Sequence, residues 1–179
     1  LVIMPGIPDR MFGVPDNTGD NTTHMFLYLP VTNATTGRTW LNNNLGANYS
    51  NVNSSTFDIA QQATASDDHN AYGSLFQWGR KADGHELITW IDAVTGIGTN
   101  GTTSTNSDIP SDALYITETS SPHDWRVTQD NTLWALESST NNVCPVGYRV
   151  PTGEELNLER ELWGSNDSAG ALASTLVMS

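Results

Sequence analysis

Apolar positions fall in short runs between long polar stretches, and no single period governs the chain. The run Met25 to Leu29 (MFLYL) is closed by Pro30, the pattern of a buried strand. A turn at Thr36 and Gly37 leads into a second strand, Arg38 to Leu41, and the two runs predict a hairpin. Asn42 to Ser66 is rich in asparagine and nearly aperiodic, which predicts irregular loop with Phe57 and Ile59 turned inward. Asp67 and Asp68 then precede Ala71, Tyr72, Leu75 and Phe76, a spacing that lies on one helical face. Carboxylates ahead of that face suit the unpaired amides and positive pole of a helix start. A helix is therefore predicted over 68–78, with Gly79 as its stop.

The second predicted helix starts at a capping box. In Thr152 to Glu155 (TGEE) the hydroxyl takes an amide of the first turn while Glu155 reaches back. Leu156, Leu158, Leu162 and Trp163 supply an apolar side up to the stop at Gly164 to Asn166, giving a helix over 153–163. Turn signals crowd residues 1–35, at Pro5-Gly6, Pro8-Asp9 and Pro15 to Asp20. From Gly96 to Pro110 there is little beyond Gly, Thr, Ser and Asn, so a surface loop is expected. Ala169 to Met178 is apolar enough to form a final packed segment. The class is α+β. We divide the chain into an extension over 1–35 and a domain over 36–179 with a polar insertion at 93–113.

Four motifs form an ordered series: Thr36 to Ala47 (TGRTWLNNNLGA), Ala71 to Arg80 (AYGSLFQWGR), Asp124 to Arg126 (DWR) and Cys144 to Leu156 (CPVGYRVPTGEEL). The series resembles the Fibrobacter succinogenes major paralogous domain, a module of bacterial surface proteins. It is distantly similar to the C-type-lectin-type fold shared with formylglycine-generating enzymes and phage tropism determinants. The resemblance spans Thr36 to Ala173 and implies a C-type-lectin-like scaffold of two helices, short antiparallel strands and long loops. Closing strands would follow the region where this chain stops. The resemblance further implies a partner for Cys144 in a segment this chain lacks. The alternative for Cys144, the single cysteine, is a buried thiol packed as a small hydrophobe.

Composition narrows the partners. Twenty acidic residues against seven basic ones give a net charge of -13 and a pI near 4.3, which disfavours nucleic acid and anionic lipid. Only one lysine is present, Lys81, and Asn, Thr and Ser are abundant, as in many secreted bacterial adhesins. No apolar run approaches the ~20 residues that span a bilayer, so membrane insertion is not expected.

Candidate chemistry is sparse. Arg149 to Glu155 matches a stretch of the formylglycine-generating enzymes, but their oxidation needs cysteines and Cys144 stands alone. We therefore expect no enzyme. The histidines, His24, His69, His85 and His123, have neither zinc-motif spacing nor a nucleophile elbow beside them. Calcium is the sharper expectation, because hard cations want six to eight oxygens of the kind Asp/Asn loops provide. Its candidate ligands are Asp16, Asp20, Asp67, Asp68, Asp83 and Glu86, against plain readings as Asx-turn, helix cap and β-turn. Trp90, His123 and Trp125 flank the insertion, where an aromatic could stack on a sugar or clamp a peptide, against the plain reading of the tryptophans as core. The expected function is an extracellular ligand-binding or adhesion module of a bacterial surface protein, recognising glycan or protein through loops. The alternative is a self-associating subunit of a surface fibre or phage-like appendage.

Overall fold

The computed structural model describes residues 6–15, 22–98, 100–102, 104–110 and 113–174. Its strands are short and pair only two at a time. β1 (Ile7–Pro8) is antiparallel to β2 (Leu27–Tyr28), and β3 (Pro30–Thr32) to β4 (Thr39–Leu41). β5 (Thr89–Trp90) is antiparallel to β6 (Gly96–Ile97), whereas β7 (Asn100–Thr102) runs parallel to β8 (Tyr115–Ile116). Two α-helices close the described chain, α1 (Gly153–Arg160) and α2 (Ser168–Ala173). The class is α+β. Among the described residues no helix is long and apolar enough to cross a membrane.

The first hairpin is shifted from its predicted partner. β4 pairs with β3, in the register Pro30↔Leu41, Val31↔Trp40 and Thr32↔Thr39, and not with the apolar run before Pro30. Proline fits the first position of an edge strand, where no ladder donor is needed. The apolar run instead pairs with β1 and buries Tyr28 completely, its hydroxyl accepting from the Gly46 amide at 2.9 Å. Part of the expected surface loop is also ordered, since Gly96 and Ile97 pair with Thr89 and Trp90.

The helix expected over 68–78 does not form. Only a 3₁₀ turn, His69–Ala71, survives. Gly73 adopts φ +79, which ends right-handed winding, and tertiary acceptors take the following amides. Ser74 N–H donates to the Leu45 carbonyl at 2.8 Å and Leu75 N–H to that of Glu86 at 2.9 Å. Phe57, expected inside, is exposed.

α1 forms with its capping box. Thr152 Oγ1 accepts from Glu155 N–H at 3.2 Å, and Glu155 Oε2 accepts from Thr152 N–H at 2.9 Å. Its packing inverts the expected one, because Leu156, Leu158 and Leu162 are exposed and Glu159 is the buried residue. Glu159 accepts from Asn33 Nδ2 at 2.6 Å and from the Thr36 hydroxyl. A carboxylate, not an apolar stripe, docks this helix onto the β3–β4 turn.

Among the described residues two small apolar clusters stand out in the core, Ile116, Trp125 and Leu133, then Trp134, Val143 and Cys144, beside the buried Phe26, Leu27 and Tyr28. Buried asparagines supply what longer ladders would. Asn42 accepts from Leu29 N–H and donates to the Ile59 carbonyl, both at 2.8 Å. Asn141 donates to Gly79 and Asp108 carbonyls, and Asn142 ties the Cys144 amide to the Glu137 and Tyr148 carbonyls. Arg10 donates to the Cys144 carbonyl at 2.6 Å, which holds the N-terminal segment to the later half of the chain.

Candidate functional site

The stretch Gln77 to Glu86 turns tightly through Gly79 and Gly84, both at positive φ, and drives four charged or titratable side chains inward. Arg80 has no exposed surface. Its Nε donates to Asp83 Oδ2 at 2.9 Å, and its Nη1 donates to Gln77 Oε1 at 2.9 Å and the Leu114 carbonyl at 2.8 Å. His85 Nε2 accepts from the Gln77 amide at 3.1 Å, which places the ring proton on Nδ1, 2.7 Å from Asp83 Oδ1. Glu86 Oε2 accepts from the amides of Asp83 and Gly84 at 3.2 and 3.0 Å. Glu86 Oε1 has no hydrogen-bond partner among the described residues and lies 3.3 Å from His24 Nε2, whose other ring nitrogen is 4.0 Å from Asp9.

Burial sets the charges. It pushes the Glu86 carboxyl up to about 7 and raises that of Asp9. Burial would also raise Asp83, but His85 and Arg80 outweigh it and hold its carboxyl below the usual range. The His85 ring is depressed, chiefly by burial.

Asp83, His85 and Glu86 offer ligand atoms within 4.8 Å of one another and so could hold a metal ion. The donor set is largely spent, however. Both Asp83 oxygens, Glu86 Oε2 and both His85 nitrogens face protein partners, and the Arg80 cation sits alongside.

Next to this network lies an apolar cleft of about 740 Å³. Trp40, Leu75, Phe76, Tyr115, Trp134 and Leu156 carry most of its character. The network supports the cleft directly: the His85 ring is 6.4 Å from Phe76, edge to face, and 6.1 Å from Tyr115. The indole nitrogens of Trp40 and Trp134 are buried without a hydrogen-bond partner among the described residues. Arg38 and Arg149 also line the cleft, and both engage Glu155, Arg149 through two bonds of 2.9 and 2.7 Å. The Arg149 pair and the Thr152 amide hold Glu155 down at about 2. Cys144 borders the cleft as a buried free thiol that burial pushes up to about 11, leaving it protonated and a poor nucleophile at neutral pH.

The predicted ligand-binding residues do not converge. Trp90 is half-buried on β5, edge-on to Tyr72 at 5.1 Å and bonded to the Gly73 carbonyl at 2.8 Å. It borders a second, smaller cavity of about 220 Å³ with Asn48, Asn51, Ser74 and Thr89. His123 is exposed in a turn at φ +63. Trp125 is a core residue rather than a ligand clamp, because it is buried against Ile116 and Leu133 and donates to the Trp78 carbonyl at 2.7 Å.

Among the predicted calcium ligands that lie in the described residues, only Asp83 and Glu86 come together. Asp67 is exposed, while Asp68 accepts from Thr64 and Tyr49. Asp16 and Asp20 lie outside the described residues. Sequence reasoning missed Arg80 and His24 as members of the network and the cleft as a cavity. The acids around His85 were the available signal. Comparison with known protein families, curated proteins and solved structures finds no match.

The network makes stability depend on pH. A carboxyl raised from 4.5 to about 7 on folding binds its proton more tightly in the native state, so its contribution is full below 4.5 and is lost as pH rises through 7. Glu86→Gln keeps an acceptor for the Asp83 and Gly84 amides and removes that loss. Denaturant titrations of both proteins from pH 4.5 to 8 should show the variant gaining on the wild type by on the order of 3 kcal/mol. A constant difference across that range would contradict the assignment.

Proposed function

We propose that this chain is a non-enzymatic, extracellular ligand-binding or adhesion module whose cleft takes an extended apolar segment of another protein. The observation that carries this reading is the aromatic cleft, of ligand-pocket size and open enough to leave Leu75 and Leu156 half in water. Arg80, His85 and Glu86 behind it are closed off from solvent and serve as support, which favours binding over turnover. The extracellular placement and the C-type-lectin-like scaffold rest on composition and on the ordered motif series from Thr36 onward, which resembles a bacterial surface module. In a fibre or appendage subunit the same cleft would receive a neighbouring chain.

A divalent cation such as calcium at Asp83 and Glu86 is a second reading, favoured by the 4.8 Å convergence and opposed by Arg80. A melting temperature that rises in millimolar calcium, and not in sodium chloride of equal ionic strength, would support it. Equal melts in calcium and chelator would remove it.

The main reading is tested by selecting peptides from a display library on the immobilised protein, with a glycan array run in parallel. Selected peptides should be apolar and should bind Leu156→Asp about tenfold or more weakly, as expected when a charge enters an apolar contact. Failure to select any peptide, or equal binding to the variant, would contradict a protein-binding cleft. Glycan binding lost on Trp90→Ala would move recognition to the smaller cavity.

A further inference from the structure

The β5–β6 hairpin is apolar on the wrong side for a monomer. Trp90 anchors one face, edge-on to Tyr72 and bonded to Gly73, and Gly96 opposite it leaves room for the indole. A strand alternates its faces, so Ile91 and Ile97 share the outer one with Thr89. Ile91 is 56% exposed, Ile97 61%, and Val94 at the tip 89%. Three large apolar side chains are thus exposed within one nine-residue hairpin, a local concentration of apolar surface that suits an interaction site.

This chain also carries a surface that suits the patch. The cleft is apolar, with Leu75 and Leu156 exposed, and Arg38 and Arg149 line it. The hairpin tip carries Asp92, exposed and held ionised by the amides of Val94 and Thr95. Patch and cleft therefore match in hydrophobicity, and the two arginines outnumber the one Glu155 carboxylate they share, so the cleft rim is opposite in charge to Asp92. Tyr72 joins them: it lines the cleft, and its hydroxyl donates to the Ala93 carbonyl in the hairpin at 3.2 Å. With the hairpin tip beside the cleft, two copies can each offer a hairpin to the other, and a reciprocal exchange closes on a two-fold axis.

We propose that the Ile91, Val94 and Ile97 face of one copy docks into the Trp40 to Leu156 cleft of a second copy, forming a symmetric dimer. The proposal rests on the reading of the cleft as a protein-binding site and names its partner.

Sedimentation velocity across a concentration series should show wild type passing from monomer to dimer. Val94→Asp/Ile97→Asp on the hairpin and Leu156→Asp in the cleft should each raise the dissociation constant about tenfold or more. All three positions are exposed, so the variants should keep the wild-type circular dichroism. Mixing the two variants leaves one intact hairpin and one intact cleft per pair, so a heterodimer should form more tightly than either variant alone. Wild type that stays monomeric, or variants that dimerise as wild type does, would overturn the proposal. A monomeric wild type that still binds the selected apolar peptides, with loss on Leu156→Asp, would overturn only the self-partner. Loss of peptide binding as well would overturn the reading of the cleft.

Discussion

The Arg80 guanidinium is fully buried and joins two segments that, among the described residues, no sheet connects. It bonds Gln77 and Asp83 on its own turn and the Leu114 carbonyl thirty-four residues on. Gln77 in turn exchanges two bonds with Ile116, and Glu86 faces His24. A domain with two- and three-residue strands has few ladder bonds with which to fix its loops. Here charge-assisted side-chain bonds do that work, and they are the stronger kind when desolvated and complete. The arrangement has a cost, since removing one partner leaves a buried charge uncompensated. Glu86 Oε1 is where the network is incomplete, and the raised carboxyl reports it.

The cleft follows from this arrangement. Phe76 and Tyr115 stand against His85, so the network fixes two aromatic members of the cleft from behind. Trp134, beside Phe76 and Trp78, continues the aromatic surface. α1 adds Leu156 because its docking through Glu159 turns the leucines away from the core. An apolar surface held by a rigid polar interior is suited to recognition, because the binding groups need no ordering when a partner arrives.

What could be read from the sequence was local. The capping box at Thr152 places α1 because both of its bonds lie within four residues. The α+β class followed from the same scale of pattern. The helix over 68–78 failed because Ser74 and Leu75 give their amides to Leu45 and Glu86, acceptors that periodicity cannot reveal. The leucines of α1 misled for a related reason, since a lone Glu159 between Asn33 and Thr36 outweighs an apolar stripe with no surface to meet. Asp83 and Glu86 were visible as acids beside a histidine, but their tie to Arg80 and His24 is a product of folding. Trp125 was open to both an anchor and a core reading, and it is core, packed on Ile116 and Leu133 and bonded to the Trp78 carbonyl.

The central claim is that the Arg80 to Glu86 network, not the strand pairs, holds the molecule together, and native-state hydrogen exchange measures this directly. The Gln77 amide, bonded to His85, and the Ile116 amide, bonded to Gln77, should exchange only through global unfolding. The Ile91 amide, bonded to Thr95 in the exposed hairpin, should exchange by local opening at far lower cost. Gln77 and Ile116 amides that exchange as readily as Ile91 would contradict the account.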